Sequence, residues 1–201
     1  MEQQQSHLAH DIIKIKNFLP ENLFHETLEF EKEIQAKDIG SYAGKAGPVP
    51  EELVKKILDV YESHGLKYSK LEGARVRIGT HEDINDFRSL IHVDHHCTTV
   101  LVVYLENTLY KDAETSGTLF WENNQTKKRK IDVKDNRDNF LHTLIINKHS
   151  KDLNQWTEWL RSPFEKNTAL IFDSLYFHSP PSPHFEKYEV GKRVTLDIFL
   201  S

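Results

Sequence analysis

The sequence predicts an α+β fold that is mainly β, built as a sheet sandwich or open barrel with helices packed on its outside. Two observations carry this prediction. Apolar residues recur at helical spacing in two segments of the first third of the chain, and from residue 74 onward the patterns are those of strands. At 201 residues, the chain has the length of one domain with a sizeable core.

The N-terminal part is expected to form one strand and two helices. The alternation in Asp11–Lys16 predicts a strand, and a helix follows from Pro20 to about Lys37. A loop is expected over 39–50, which contains three glycines and two prolines. Apolar residues at helical spacing predict the second helix over Glu51–Ser63, and Gly65 closes it.

The rest of the chain is predicted to form short strands. Ala74–Ile78 and Arg193–Leu200 alternate in polarity, whereas Thr98–Leu105 is nearly all apolar and β-branched, as in a strand buried on both faces. Lys151–Leu160 carries two tryptophans and is expected to be a short helix or a loop insert. The other predicted strands are Phe87–Val93, Gly117–Trp121, Phe140–Asn147 (where a helix is the alternative) and Thr168–Phe177.

Composition narrows the class of protein. The net charge of -5 argues against general nucleic-acid binding, and no apolar run approaches the roughly 18 residues of a membrane-spanning helix. The polar, Gln-rich segment Met1–His10 lacks the pattern of a secretory signal. A single cysteine, Cys97, excludes an intramolecular disulfide, so a reducing, cytoplasmic location is expected. We therefore expect a small-molecule or peptide substrate and neither nucleic acid nor membrane as a partner.

Histidine is abundant, with twelve in the chain, and His92 is one of three that have a carboxylate two residues on, at metal-ligand spacing. His92 and Asp94 are two residues apart at the end of a predicted strand, so both side chains can meet one ion. His178, from a distant strand, would complete two nitrogens and one carboxylate, a set that suits Fe(II) and leaves coordination positions open. By spacing alone, a surface pair at a strand end explains His92 and Asp94 equally well.

Other histidines compete for this role. His81-Glu-Asp83 has the same spacing, but it lies in a polar stretch typical of a solvated turn, and His184-Phe-Glu186 is a looser match. His96 shares the strand face of His92 and Asp94, so these three residues form another conceivable set. Three alternate residues of one strand do not easily surround a compact ion, which favours a ligand from a second strand.

Several motifs follow one another along the chain. After His92-x-Asp94, a strand ends in Tyr104-Leu-Glu106, and a turn at Ser116-Gly-Thr118 precedes the next strand. The apolar segment 169–178 then ends in a distal histidine, and Arg193 lies in the last strand. In this order the chain resembles the iron(II)- and 2-oxoglutarate-dependent dioxygenases, most closely their small prolyl-hydroxylase-like branch.

The resemblance implies one oxygenase domain over 1–201 with a double-stranded β-helix core, of the jelly-roll or cupin-like kind. The N-terminal strand and the supporting helices would occupy residues 1–70, and the core would occupy residues 71–201. An insert around 127–162 is a departure from the family pattern.

The resemblance also implies the cofactors and their ligands. Fe(II) would be the metal, and 2-oxoglutarate and O2 would be the co-substrates. Arg193 would hold the distal carboxylate of 2-oxoglutarate in a two-pronged pair, which guanidinium geometry suits. Thr195 shares the strand face of Arg193 and, like the phenol of Tyr104, would bind the same carboxylate. The metal ligands would be His92, Asp94 and His178.

The implied reaction is hydroxylation of an unactivated C–H bond in an amino acid, peptide or related small molecule, with release of succinate and CO2. Related halogenases have a small residue in place of the aspartate, so Asp94 favours hydroxylation or another oxidation. Arg75 and Arg77 alternate on a strand before the metal motif and, with Trp121, could bind a carboxylate-bearing substrate. Outward-facing charges on an edge strand are the simpler explanation of the two arginines.

Two other functions fit parts of the sequence. A zinc-dependent hydrolase is suggested by His92-x-Asp94-His95, but its motif needs a further histidine where Leu90 stands. A non-catalytic cupin-like metal-binding module could share the barrel and the ion, but it would have no reason to keep Arg193 and Thr195 on one face. Zinc retention, or the absence of 2-oxoglutarate turnover, would favour these alternatives.

Overall fold

A computed structural model of the chain describes residues 4–33, 37–38, 45–80, 91–109, 116–131, 148–150, 152–181 and 191–201. The predicted mainly-β fold with two helices is confirmed. The elements are β1 (Gln4–Ala9), β2 (Ile12–Lys16), α1 (Glu21–Glu33), β3 (Lys37–Asp38), β4 (Lys45–Pro48), α2 (Glu51–Ser63), β5 (Leu71–Thr80), β6 (Thr99–Asn107), β7 (Thr118–Asn123), β8 (Trp156–Ser162), β9 (Thr168–Asp173), β10 (His178–Ser179) and β11 (Lys192–Leu200).

Two antiparallel sheets make up the core. The larger sheet has the strand order β1-β2-β9-β6-β11-β5-β4-β3, and the smaller has the order β10-β7-β8. The segment around His92 extends the smaller sheet, because His92 and His178 form an antiparallel bridge. From β5 onward the chain therefore passes between the two sheets repeatedly, which is the arrangement of a double-stranded β-helix.

Alternation along the strands separates two apolar layers. Alternate residues of β6 face the helices or the smaller sheet, and β11 divides its side chains in the same way. Burying one such aliphatic side chain stabilises the fold by roughly 1.5–3 kcal/mol, so a one-residue slip of register is strongly disfavoured. The helix-facing residues of these two strands are Leu101, Val103, Leu105, Val194, Leu196, Ile198 and Leu200.

The helix α2 has the predicted bounds, and its sequence explains them. Its buried residues recur at helical spacing and pack on the larger sheet. The N–H of Val54 donates to the carbonyl of Pro50 at 3.0 Å in the first turn. After the last turn, Gly65 adopts a φ of 76°, a left-handed conformation that glycine takes without steric cost.

Three predicted elements differ from the observed ones. The segment Lys151–Leu160 is not a helix or loop insert throughout, since Trp156–Ser162 is the strand β8, paired with β7. The first helix ends earlier than Lys37, which lies in β3. The expected loop over 39–50 contains the strand β4. Its hydrogen bonds to β5 form a strand that the glycines of this segment did not lead us to expect. The predicted strand Phe140–Asn147 lies outside the described residues. So does most of the predicted strand Phe87–Val93, whose described end forms only the bridge at His92.

Within the described residues, neither helix is long and apolar enough to cross a membrane. Both have 13 residues, and both carry acidic side chains in the first turn.

Candidate functional site

Three buried side chains, two from the segment before β6 and one from β10, converge at one point. The ligand atoms of His92, Asp94 and His178 all lie within 4.8 Å of one another, and each residue is at most 7% exposed. Nε2 of His178 lies 3.3 Å from Oδ2 of Asp94, and the two imidazole centroids are 4.3 Å apart. Two imidazole nitrogens and one carboxylate in this arrangement can hold a divalent metal ion.

Backbone pairing brings these side chains together. The N–H of His92 donates to the carbonyl of His178 at 3.0 Å, and the N–H of His178 returns the bond at 3.0 Å. The N–H of Asp94 donates to the carbonyl of Ser174 at 2.9 Å. In an extended segment, residues two apart share a face, so His92 and Asp94 point together while Val93 packs into the apolar layer behind the smaller sheet.

The imidazole of His178 is held with one nitrogen directed at the cluster. Its Nδ1 lies 2.9 Å from the carbonyl oxygen of Tyr176, which can only accept, so Nδ1–H donates. In the neutral ring the lone pair is then on Nε2, the nitrogen beside Asp94. Phe172 packs against the same ring with centroids 4.9 Å apart, which fixes its orientation further.

The carboxyl of Asp94 is ionised despite its burial. Burial by itself would raise the pKa of Asp94, but the neighbouring cations outweigh it in the metal-free protein. When His178 is protonated, its Nε2–H donates to the carboxylate, and its charge acts together with those of protonated His92 and of Arg75. The pKa of Asp94 therefore lies well below its usual range. Metal ligation requires the ionised form, so the surroundings of Asp94 favour the ligating state.

The three side chains line a pocket that lies between the two sheets. The wall facing the cluster is formed by β5 and β11, and its charged and polar residues are Arg75, Arg77, Arg193, Thr195 and Asp197.

Arg193 is held in the pocket by the turn before β7. Its Nε donates to the carbonyl of Ser116 at 3.1 Å and its Nη2 to that of Gly117 at 3.4 Å. The guanidinium carbon lies 5.6 Å from the ring centroid of Phe164, within the range of a cation–π contact. A Cβ on Gly117 would collide with the backbone of Ser162, so only glycine fits in this turn.

Tyr104 and Thr195 also lie between the sheets, on neighbouring strands and directly opposite each other in register. Thr195 lines the pocket. The fully buried Tyr104 hydroxyl donates to Oγ1 of Thr118 at 2.8 Å, and Thr118 itself lines the pocket. Burial raises the pKa of Tyr104 above its usual value, although the charge of Arg193 opposes the rise, so the phenol stays protonated.

Trp121 does not line this pocket. It lies on the other face of β7, 4% exposed, in the apolar layer that also contains Phe177. Its Nε1–H donates to Oγ of Ser179 at 2.9 Å, next to His178 in the chain. The sequence did not indicate which face of this short strand is turned inward, and Trp121 supports the strand that carries His178.

Of the competing histidine sets, the one with His96 falls on described residues and is not formed. His96 is exposed and packs against the ring of Phe199 with centroids 4.6 Å apart, away from the three clustered side chains. His81-Glu-Asp83 and His184-Phe-Glu186 lie outside the described residues. Cys97 is buried beside Asp94, and desolvation, together with the Asp94 charge, raises the pKa of its thiol to about 12.

Sequence reasoning missed the charged pocket residue Asp197. It lies 5% exposed between the two sheets, close to Arg75 and Arg77. The signal was available, because Asp197 follows Arg193 and Thr195 at a period of two and must share their strand face.

Comparison with known proteins identifies the fold. HygX from Streptomyces hygroscopicus, with nickel, 2-oxoglutarate and hygromycin B bound, matches with a TM-score of 0.55 at 10% identity, over 94% of this chain and 81% of that chain. A prolyl hydroxylase from Trichoplax adhaerens, in complex with a hypoxia-inducible-factor peptide fragment, matches with a TM-score of 0.55 at 12% identity, over 96% and 84%. The α-ketoglutarate-dependent epimerase SnoN from nogalamycin biosynthesis matches with a TM-score of 0.57 at 10% identity, over 94% and 77%.

These matches show that the chain has the fold of the non-haem iron and 2-oxoglutarate dioxygenases, prolyl hydroxylases included, as its sequence motifs led us to expect. At the level of sequence, no protein-family model matches the chain. No curated protein matches it significantly either.

Proposed function

We propose that the protein is an Fe(II)- and 2-oxoglutarate-dependent oxygenase. One observation carries the proposal: on the fold of this enzyme class, His92, Asp94 and His178 form a buried cluster that faces a pocket wall with Arg193 and Thr195. A cation site and a carboxylate-binding pair thus face each other across one cavity. That is the arrangement that a metal and a dicarboxylate co-substrate require.

The donor set fits Fe(II). Two neutral imidazoles and one carboxylate leave coordination positions for further ligands, and the ionised Asp94 lowers the net charge of the loaded site. His92, Asp94 and His178 would hold the ion. When bound, Fe(II) and 2-oxoglutarate supply the activation of O2, while the protein supplies binding, orientation and exclusion of water.

Arg193 and Thr195 would bind the distal carboxylate of 2-oxoglutarate. The two carbonyls that accept hydrogen bonds from Arg193 fix its guanidinium before the co-substrate arrives, which reduces the entropy lost on binding. The Thr195 hydroxyl lies on the same face of β11 and can donate to the same carboxylate. Tyr104 would contribute its phenol or, through its hydrogen bond, orient the Thr118 hydroxyl beside the co-substrate.

Apolar side chains on the larger sheet keep water away from the cluster. Val100, Val102 and Phe199 line the same pocket as the metal-ligand candidates and the arginines. A low-dielectric surrounding strengthens the ionic contacts of a bound dicarboxylate and protects reactive species from side reactions.

The proposed reaction is hydroxylation of an unactivated C–H bond in an amino acid, peptide or related small molecule, with succinate and CO2 as co-products. Structural neighbours with hygromycin B or a peptide bound support this range of substrates, and the presence of Asp94 supports oxidation over halogenation. The epimerase among the neighbours makes epimerisation the main alternative outcome. We further propose a single oxygenase domain over 1–201, since α1 and α2 share one core with β6 and β11. The proposed cytoplasmic location rests on the single cysteine of the sequence.

Anaerobic titration with Fe(II) and 2-oxoglutarate tests the proposal. The wild type should develop the weak visible charge-transfer band of a metal-chelated 2-oxo acid and, after addition of O2, convert 2-oxoglutarate to succinate. Arg193→Ala should need at least roughly tenfold more 2-oxoglutarate, because a charge-assisted hydrogen bond contributes about 1.5–3 kcal/mol. Arg129→Ala is the matched control, since Arg129 pairs with Glu122 on the surface.

The absence of both the band and succinate would contradict the proposal. A purified protein that retains zinc and gives neither band nor succinate would contradict the proposal, and it would favour a zinc-dependent hydrolase or a non-catalytic cupin-like metal-binding module.

A further inference from the structure

Three charged side chains form a second polar group on the pocket wall, beyond Thr195 as seen from Arg193. Asp197 is directly opposite Arg75 in the register of β11 and β5, and Arg77 is directly opposite Thr195. Nε of Arg75 and Nη1 of Arg77 each lie 3.8 Å from the same oxygen, Oδ2 of Asp197. We call Arg75, Arg77 and Asp197 the arginine pair and its carboxylate.

The group is largely removed from solvent. The side chains of Arg75 and Arg77 are 25% and 18% exposed, and that of Asp197 is 7% exposed. Charges at this depth interact more strongly than surface charges, because water and salt screen them less. Arginines in such a place are unlike the outward-facing charges of an edge strand.

The contacts to Asp197 are ionic and longer than hydrogen bonds. A charge-assisted N–H···O bond measures about 2.7–2.9 Å, whereas both arginines lie 3.8 Å from Asp197. Asp197 thus draws the two guanidiniums towards one point, its Oδ2. Two guanidiniums that converge in a pocket are well suited to grip a further carboxylate.

Arg75 and Asp197 lie apart from the proposed co-substrate site, and Arg77, opposite Thr195, lies between the two. Arg193 and Asp197 are four residues apart on β11, which places their Cα atoms roughly 13 Å apart at about 3.3 Å per residue. The guanidinium of Arg75 leans still further away, 4.7 Å above the ring of Phe199. One five-carbon dicarboxylate held at Arg193 is too short to span this distance along the strand.

The arginine pair nevertheless belongs to the same cavity as the metal-ligand candidates. Arg75, Arg77 and Asp197 line the pocket together with His92, Asp94 and His178. A group bound by the arginines would therefore place the atoms attached to it close to the metal and not at a remote surface.

We propose that Arg75 and Arg77, drawn together by Asp197, form the subsite that binds a carboxylate of the substrate, so that the substrate class is carboxylic acids. The inference rests on the proposed oxygenase function, because it assigns the substrate side of that pocket. Arg75 and Arg77 would contact the substrate, whereas Asp197 would act as a positioning residue.

Fluorine NMR with trifluoroacetate tests the subsite without knowledge of the true substrate. The protein is loaded with Mn(II) and saturating 2-oxoglutarate, so that Arg193 is occupied and paramagnetic broadening reports distance from the metal. Trifluoroacetate should bind saturably with strong broadening, while the neutral isostere trifluoroacetamide should not. Arg75→Gln and Arg77→Gln should each weaken trifluoroacetate binding roughly tenfold or more. Each single variant leaves Asp197 one cationic partner, so both should fold.

Two controls make the result decisive. Arg129→Gln, a surface variant, should bind trifluoroacetate as the wild type does. Displacement of trifluoroacetate by free amino acids would identify a small acid as the carboxylate source, and displacement only by end-blocked peptides with a Glu side chain would identify a peptide.

The failures are distinguishable. Wild-type binding that both Gln variants retain, or that excess 2-oxoglutarate abolishes, would overturn the subsite and leave the oxygenase function standing. Failure of the wild type to take up Mn(II) and 2-oxoglutarate at the outset would contradict the proposed function itself.

Discussion

His92 and His178 exchange both of their backbone hydrogen bonds, each 3.0 Å long, although 85 residues separate them in the chain. Two proposed metal ligands are thereby joined through the main chain, independently of their side chains. The bridge orients both imidazoles before any ion binds, which lowers the entropic cost of assembling the site.

Removal of one ligand side chain should abolish metal binding and leave the backbone hydrogen bonds between residues 92 and 178 intact. We expect His178→Ala to lose more Fe(II) affinity than the roughly 10–100-fold that loss of a supporting partner costs. Metal titration with the charge-transfer band as readout measures this loss, and circular dichroism verifies the fold. His96→Ala should bind Fe(II) normally because His96 is exposed, and equal behaviour of the two variants would exclude His178 as a ligand.

Gly117 should be indispensable to the turn that holds Arg193. A Cβ at this position would collide with the Ser162 carbonyl, and the clash involves backbone that cannot rotate away. We expect Gly117→Ala to lower the free energy of unfolding by about 1–3 kcal/mol or more and to weaken 2-oxoglutarate binding, because the carbonyls that accept from Arg193 shift. Urea denaturation and co-substrate titration measure both effects.

Gly73→Ala is the matched control for this glycine, since its added Cβ would lie 4.0 Å from the Phe199 side chain, an ordinary contact. A Gly117→Ala protein as stable as Gly73→Ala would show that the close approach to β8 is not required.

The phenol of Tyr104 should affect co-substrate binding more than stability. Tyr104→Phe removes the buried donor to Thr118 Oγ1, and the loss of such a bond costs about 1 kcal/mol of folding free energy. Because Thr118 lines the pocket, we expect the KM for 2-oxoglutarate to rise several-fold with little change in kcat. Steady-state succinate formation tests this, and an unchanged KM would restrict Tyr104 to a packing role.

Because of His64, the free energy of unfolding should decrease in mild acid. Burial lowers the pKa of His64, its ring stacks on Phe18 with centroids 5.5 Å apart, and its Nε2 has no hydrogen-bond partner among the described residues. Below about pH 6.5, His64 is protonated more readily in the unfolded chain than in the folded chain. The free energy of unfolding is therefore higher above that pH, and it decreases as the pH falls.

Urea denaturation of the metal-free protein at pH 7.5 and 5.5 measures this effect. His64→Phe preserves the stack and should reduce the drop in unfolding free energy between the two pH values. His25→Phe should leave the drop unchanged, because the side chain of His25 is 67% exposed. An identical pH dependence in all three proteins would rule out His64 as its source.

The sequence predicts those strands and helices in which the hydrophobic pattern is regular from end to end. Alternation in β11 and the apolar run of β6 indicate both strands, and the helical spacing of α2 gives its bounds. β8 was missed for a physical reason: Trp156 and Trp159 are three apart, as on a helix, yet the pairing of β7 with β8 skips Trp159. A bulge of this kind changes the face of later residues and hides the strand period.

The site is predictable only in part, because side-chain direction depends on pairing. The spacing of His92 and Asp94 predicts their common face, but only the antiparallel bridge to His178 brings the third side chain within reach. Trp121 was expected at the substrate and lies behind the smaller sheet, since Thr118 and Phe120 take the inward face of β7.

The alternation of β11 has a consequence for how this protein can change over time. Its even-numbered residues, such as Val194 and Leu196, anchor the strand against the helices, while its odd-numbered residues, such as Arg193 and Asp197, face the cavity. Substitutions at the odd-numbered positions can therefore change which groups line the cavity without altering the packing of β11 against the helices. Variation between descendants of such a gene should concentrate at Asp197 and its neighbours on β5, where a new specificity can arise by single substitutions.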